Sequence, residues 1–291
     1  ASSWLQQCLR KHKRCGSKTT VPLPRAVLDL GAPDSGTPLK LYETTDNENS
    51  RYMCLSHCWG DAEYPAKTTT LTLNQNKASI SWDILPKTFQ DAITFTSWLK
   101  IRYLWIDSLC IVQDSKEDWQ EESAKMVDIY RRSFLTIAAT GATSDHEGCF
   151  STTSPEKQAQ RLSGHSFDGK PYDFYFRAPL KHATFGEYYT SIPDEEHYSK
   201  RRDFPLIGRA WCYQEIFLSP RVLHFSKDEA TWECMEYAAC ECAGLTSPLH
   251  PRFENNSPKK HYSLSLESSL DDLEVRRRKL VEEYSSLGLT L

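Results

Sequence analysis

Apolar residues in this chain gather into short unbroken runs separated by amphipathic stretches, the pattern of buried strands alternating with helices. "RYMCLSHCWG" (51–60) reads as a strand that stops at Trp59-Gly60. A helix is predicted from about Pro86, with Phe89, Ala92, Ile93, Thr96 and Leu99 on its inward stripe; Trp98 lies off that stripe and needs another surface to cover it. "RYLWIDSLCIVQD" (102–114) is apolar without alternation, as for a strand covered on both faces, but Asp107 and Ser108 interrupt it. A carboxylate in such a place costs several kcal/mol unless something pairs with it. "SKEDWQEESAKMVDIYRRS" (115–133) is the clearest helix, with Ser115 as its cap and Asp118 three residues on. Its spacing puts Trp119, Ser123, Met126, Val127 and Tyr130 inward, with Glu122 at the edge of the stripe. "FLTIAAT" (134–140) is another short buried strand. This order predicts an α/β fold built on a central, mostly parallel sheet with crossover helices on its faces.

The flanking segments add further β and α elements. Residues 1–20 read as a short basic helix and loop. "LPRAVLDLG" (23–31) and "LKLYET" (39–44) read as two strands joined by a turn. After a Ser/Gly/His loop (141–170), "KPYDFYFRAP" (170–179) suggests a strand, and "GRAWCYQEIFLSPRVLHFS" (208–226) a short helix followed by a strand. "EATWECMEYAACEC" (229–242) reads as strand then loop. The resulting division is an N-terminal extension (1–50) lying on the core, an α/β domain (51–242), a polar mobile loop (243–269) and a charged C-terminal helix (270–291).

Composition narrows the class. The chain has 291 residues, 39% hydrophobic and 25% charged, enough for a sizeable core. A net charge of −4 argues against nucleic acid as the main partner. No apolar run reaches the roughly 18 residues of a membrane span, so no membrane partner is expected. The opening "ASSWLQQCLRKHKRCG" lacks the apolar core of a signal peptide, which suggests a cytoplasmic protein whose ten cysteines are reduced thiols or ligands.

Chemistry-bearing residues collect at strand ends. "LSHCWG" offers Ser56, His57, Cys58 and Trp59 where open α/β sheets place ligands. Neighbours on a strand point to opposite faces, so Ser56 and His57 cannot form a dyad; His57 needs a partner such as Asp107 or Cys110. Glu122 can reach a cleft at the end of the preceding strand or simply complement the helix dipole. "RAWCYQE" places Trp211, Gln214 and Glu215 on one helical face, with Arg209 available to pair with Glu215 or Asp107. Cys8-x3-His12-x2-Cys15 has ligand-like spacing, and Cys234, Cys240 or Cys242 could complete a zinc site, but without paired C-x2-C motifs this signal is weak and no resident metal or cofactor is expected. P-loop, GxGxxG, GxSxG and HExxH patterns are absent from the sequence.

"LSHCWG", "LPKTFQDAI", "IRYLWIDSLCIVQD", "DWQEESAKMVDIYRRS" and "RAWCYQEIFLSPRVLHF" together closely resemble the fungal heterokaryon-incompatibility (HET) domain, in the family's order across residues 51–225. "LVEEYSSLGLTL" at the end resembles a stretch that normally leads into further sequence. The resemblance implies a role in non-self recognition and regulated cell death. It also implies a more distant likeness to Toll/interleukin-1 receptor (TIR) domains, hence a flavodoxin-like core. Some TIR domains cleave NAD with a glutamate on a helix after a central strand, and Glu122, with Trp119 one turn before it, matches that position.

Three functions are therefore in view. In an NAD-consuming enzyme, Glu122 would act at the ribose, Trp59 or Trp105 would stack on an aromatic ring, and Ser56 and Asp107 would hydrogen-bond the ligand. In an acyl-transfer or cyclisation enzyme, Cys58 or Cys110 would be the nucleophile, with His57 as base. In a non-catalytic module, the chain would signal by homo-oligomerisation. The first two need a small-molecule substrate.

Overall fold

The computed structural model of the chain describes residues 1–16, 20–31, 37–60, 66–178, 180, 203–242, 259 and 263. In chain order its elements are α1 (Ser2–Lys11), β1 (Val21–Pro22), β2 (Ala26–Asp29), β3 (Lys40–Glu43), β4 (Asn49–Ser50) and β5 (Tyr52–Ser56). Then follow α2 (Leu73–Ala78), α3 (Lys87–Trp98), β6 (Tyr103–Trp105), α4 (Asp107–Cys110), α5 (Lys116–Arg132) and β7 (Leu135–Ala138). The remainder are β8 (Gln160–His165), β9 (Pro171–Phe176), α6 (Ala210–Leu218), β10 (Arg221–Phe225), β11 (Ala230–Cys234) and β12 (Ala238–Cys240). The predicted loop at 243–269 and helix at 270–291 fall outside the described residues, apart from Lys259 and Ser263.

Eight strands form one sheet in the order β12-β11-β10-β7-β5-β6-β2-β3. Its centre, β10-β7-β5-β6, is parallel, as the alternation of strands and helices predicts. Both edges are antiparallel, so the sheet is mixed rather than mostly parallel. The edges come from segments too close in sequence for crossovers: β2 and β3 pair with each other, as do β11 and β12. Numbered in chain order, the parallel strands run 2-1-3-4 across the sheet. Every residue of β5, β6 and β7 is buried, which accounts for their apolar runs without alternation.

The segment 102–114 is strand only to Trp105; from Asp107 it coils into α4. Asp107 is the cause. As the first residue of that turn it accepts the Ser108 amide on Oδ1 at 2.8 Å, a bond that satisfies a helix-end donor and is unavailable in an extended chain.

Helix α5 begins as its sequence predicts, with the Ser115 hydroxyl accepting the Asp118 amide at 3.2 Å. Its buried face is turned from the predicted one. Glu122, Ile129 and Tyr130 are buried, whereas Trp119 and Val127 remain 46% and 43% exposed. An ion pair accounts for the rotation. Arg25, just ahead of β2, donates from Nε to Glu122 at 3.0 Å and from Nη2 to Asp118 at 2.5 Å, and Lys125 reaches Glu122 at 3.0 Å. Trp98 stacks on Phe150 with centroids 5.5 Å apart but stays 66% exposed, so the described residues do not cover it as its sequence position demands. The short helix α2 and the strands β1, β4, β8 and β12 have no counterpart in the sequence patterns; β8 pairs with β9 in a hairpin whose aromatic residues stay exposed.

Candidate functional site

The carboxyl ends of β5, β6 and β7 bring together most of the residues that the motifs single out. Ser56 closes β5 facing α6, where Cys212 and Glu215 lie; its buried hydroxyl makes no hydrogen bond of good geometry among the described residues. His57 turns the other way, its ring edge-on to Phe89 of α3 at 4.9 Å. The two side chains are thus on opposite sides, as strand alternation requires, and form no dyad. Burial holds His57 below its ordinary pKa, and its Nε2 is buried without a hydrogen-bond partner among the described residues. Past the strand, Gly60 sits at φ +74°, where a Cβ would come within 2.5 Å of the Ser144 Cβ; any other residue there would be both strained and in collision.

Asp107 stands between these two sides. Its Oδ2 accepts the Trp59 indole N–H at 3.0 Å, and its Oδ1 lies 3.9 Å from His57 Nδ1, too far for a hydrogen bond. Arg209 donates to the His57 carbonyl at 3.2 Å rather than forming a short pair with Asp107 or Glu215. Its guanidinium faces Cys58, Cys212 and Glu215.

Glu215 is the most perturbed acid here. Burial, then the neighbouring charge of Asp107, carry its carboxyl up to about 7, against the opposing pull of Ser56, Tyr130 and Arg209. A buried carboxyl that gains and loses its proton near neutrality is suited to proton transfer or to meeting a developing positive charge. Two further residues join the group without a motif to announce them. Asp145 is buried, with its pKa raised by that burial, and its charge is felt by His57. Tyr130 donates to the Leu55 carbonyl at 3.0 Å and faces Glu215. Local sequence carries no signal for either; Tyr130 stood out only as a core residue.

The other candidates are placed elsewhere. Glu122 is bound to Arg25 and Lys125, and none of its described contacts reaches Ser56, His57 or Asp107. Trp105 is a core residue, edge-on to Tyr130 at 5.5 Å, and Trp119 lies on the outer face of α5. Trp211 is exposed and Gln214 half-buried beside the buried Glu215. Burial raises the Cys58 thiol and takes that of Cys110 up to about 12, so neither is a ready thiolate. Cys8, His12 and Cys15 converge with Cys234 at the opposite end of the sheet, while Cys240 and Cys242 lie with Glu229.

A family model described as "Heterokaryon incompatibility protein (HET)" matches residues 52–215, more than half of the chain and the whole span from β5 to Glu215. No curated protein and no solved structure matches the chain. Among the described residues, no helix is long and apolar enough to cross a membrane.

Proposed function

From the premise that this chain belongs to the heterokaryon incompatibility family, we propose that it serves fungal incompatibility by consuming NAD, with Glu215 rather than Glu122 as the carboxylate at the reacting sugar. Glu215 carries this reading: a buried acid titrating near 7, set among Ser56, Asp107 and Arg209 at the carboxyl ends of the parallel strands. The strand order 2-1-3-4 supports it, since flavodoxin-like sheets begin in that order and bind ligands where the order reverses, here between β5 and β7.

The chemistry needs little. The nicotinamide of NAD is already cationic, so when the bond from its ring nitrogen to ribose C1′ breaks, the electron pair moves onto nitrogen and neutral nicotinamide leaves. Ionised Glu215 stabilises the oxocarbenium ion left at C1′ and takes the proton of the water that adds there. The products are nicotinamide, ADP-ribose and one proton. Asp107, held by Trp59, orients the ribose hydroxyls, Arg209 meets the diphosphate, and Trp59 or Trp211 stacks on a base. Acyl transfer fits less well, because burial suppresses the thiolates of Cys58 and Cys110 and, among the described residues, no side-chain hydrogen bond joins either to His57.

The test is nicotinamide release from NAD at protein concentrations high enough for self-association. Glu215→Gln should lower turnover by about 10²–10⁴-fold while leaving the fold intact. Glu122→Gln should lower it only as far as it destabilises the protein. Release that survives Glu215→Gln but vanishes in a folded Glu122→Gln protein would return the role to α5. No release from wild type at any concentration would leave self-association as the family activity of this chain.

A further inference from the structure

Cys8 and His12 are four residues apart, hence on one face of the helical turn that closes α1. The chain then turns back through Cys15, with Gly16 at φ +73° ending the turn. Cys234, the last residue of β11, arrives from 222 positions beyond His12, and its Sγ lies 3.3 Å from His12 Nδ1. The four ligand atoms Sγ8, Nδ1 or Nε2 of His12, Sγ15 and Sγ234 all lie within 4.8 Å of one another. All three thiols are buried, and none is in a disulfide.

Three buried thiols facing an imidazole make a poor core but a good ligand set. Zinc binds thiolate sulfur at about 2.3 Å and imidazole nitrogen at about 2.0–2.1 Å, so the corners of its tetrahedron are roughly 3.4–3.8 Å apart, the scale of this cluster. The surroundings suit the charge that would result. Three thiolates and one zinc ion leave one negative charge, and two buried cations lie nearby. Arg221 donates to the Cys15 and Gly16 carbonyls at 2.7 and 3.0 Å, fixing the ligand turn. Lys259 lies close enough to feel the charge of Cys234 and Cys15, and donates to the Ser219 carbonyl at 2.6 Å.

From this geometry we infer that Cys8, His12, Cys15 and Cys234 bind one zinc ion as a structural clasp between the N-terminal helix and the end of β11. Four protein ligands leave no open position for substrate. The location agrees. Cys234 pairs with Arg221 at the start of β10, the end of the parallel strands opposite to Ser56 and Asp107. The clasp joins two segments that both lie outside residues 52–215.

The test is metal analysis of the full chain purified without chelator, followed by exchange of cobalt for zinc. About one zinc per chain is expected, with thiolate-to-cobalt charge-transfer and intense tetrahedral bands after exchange. Cys8→Ser and Cys234→Ser should lose the metal. Since those variants can misfold, His12→Cys supplies the control: it keeps a four-ligand set, retains the metal and shifts the cobalt bands toward those of an all-thiolate site. Chelation of the wild type should speed tryptic cleavage within Arg10–Arg14 and leave the 52–215 segment resistant. A folded, reduced protein that lacks zinc and gives no charge-transfer band overturns the inference. So does a mass deficit of two hydrogens mapping to a disulfide among Cys8, Cys15 and Cys234.

Discussion

Glu215→Gln tests the candidate site through stability, independently of any substrate. An ordinary glutamate ionises near 4.5, whereas burial and the Asp107 charge carry Glu215 up to about 7. The folded chain therefore holds this proton more tightly than the unfolded chain does. The resulting stability is fully present below pH 4.5 and is lost as pH rises through about 7. At about 1.4 kcal/mol per pH unit, that interval amounts to roughly 3 kcal/mol. Glutamine has nearly the same shape and no proton to lose, so the variant escapes the loss. Relative to wild type, Glu215→Gln should gain about 3 kcal/mol between pH 4.5 and pH 8. His57 complicates each curve but not their difference. Its pKa is lowered by burial, so its contribution is lost as pH falls, equally in both proteins. Urea unfolding followed by tryptophan fluorescence at stepped pH gives the two curves. A difference that does not change with pH would refute the argument, because it would mean that Glu215 ionises in the fold as it does in the unfolded chain.

Three other substitutions probe how the site is supported. Arg25→Ala should cost about 2 kcal/mol in urea unfolding, since it leaves the buried Glu122 with Lys125 alone; adding Glu122→Gln should recover part of that loss. Trp59→Phe removes the 3.0 Å indole bond to Asp107, costing about 1 kcal/mol of stability, and should reduce nicotinamide release by more than that loss explains. Asp91→Ala strips acceptors from the Cys149 and Phe150 amides at 2.8 and 3.1 Å and removes the partner of Lys87. It should destabilise the fold by about 3 kcal/mol and speed proteolysis near residue 150.

Much of the sheet was legible because its central strands are buried on both faces and so write unbroken apolar runs into the sequence. The parallel order of β5, β6 and β7 followed from the helices between them. What escaped was the short helix α2, the two-residue strands β1 and β4, and the strands β8 and β12. The β8 strand reads as loop because its burial never alternates, being exposed almost throughout, and β12 is only three residues long. The phase of α5 escaped for a different reason. Positions 119, 123, 126, 127 and 130 and positions 122, 126, 129 and 130 both fit a helical stripe, and apolarity favours the first. The choice is made by Arg25, nearly a hundred residues earlier, which supplies the charge that lets Glu122 turn inward.

That choice also bears on which glutamate does chemistry. Glu122 and Glu215 both sit on a helix that leads into a parallel strand, both lie one turn from a tryptophan, and both are buried. Nothing local separates them. The difference lies in their partners: Glu122 meets a guanidinium and an ammonium at 3.0 Å, whereas Glu215 meets hydroxyls and the charge of Asp107, with no cation in an ion pair among the described residues. A carboxylate already bonded to two cations has little left to offer a positive transition state, and breaking those contacts would cost more than the new one returns. An acid kept near half-ionisation by burial loses nothing of that kind. If the protein acts on a positively charged leaving group, Glu215 is therefore the residue whose removal should stop it, and Glu122 the one whose removal should merely loosen α5.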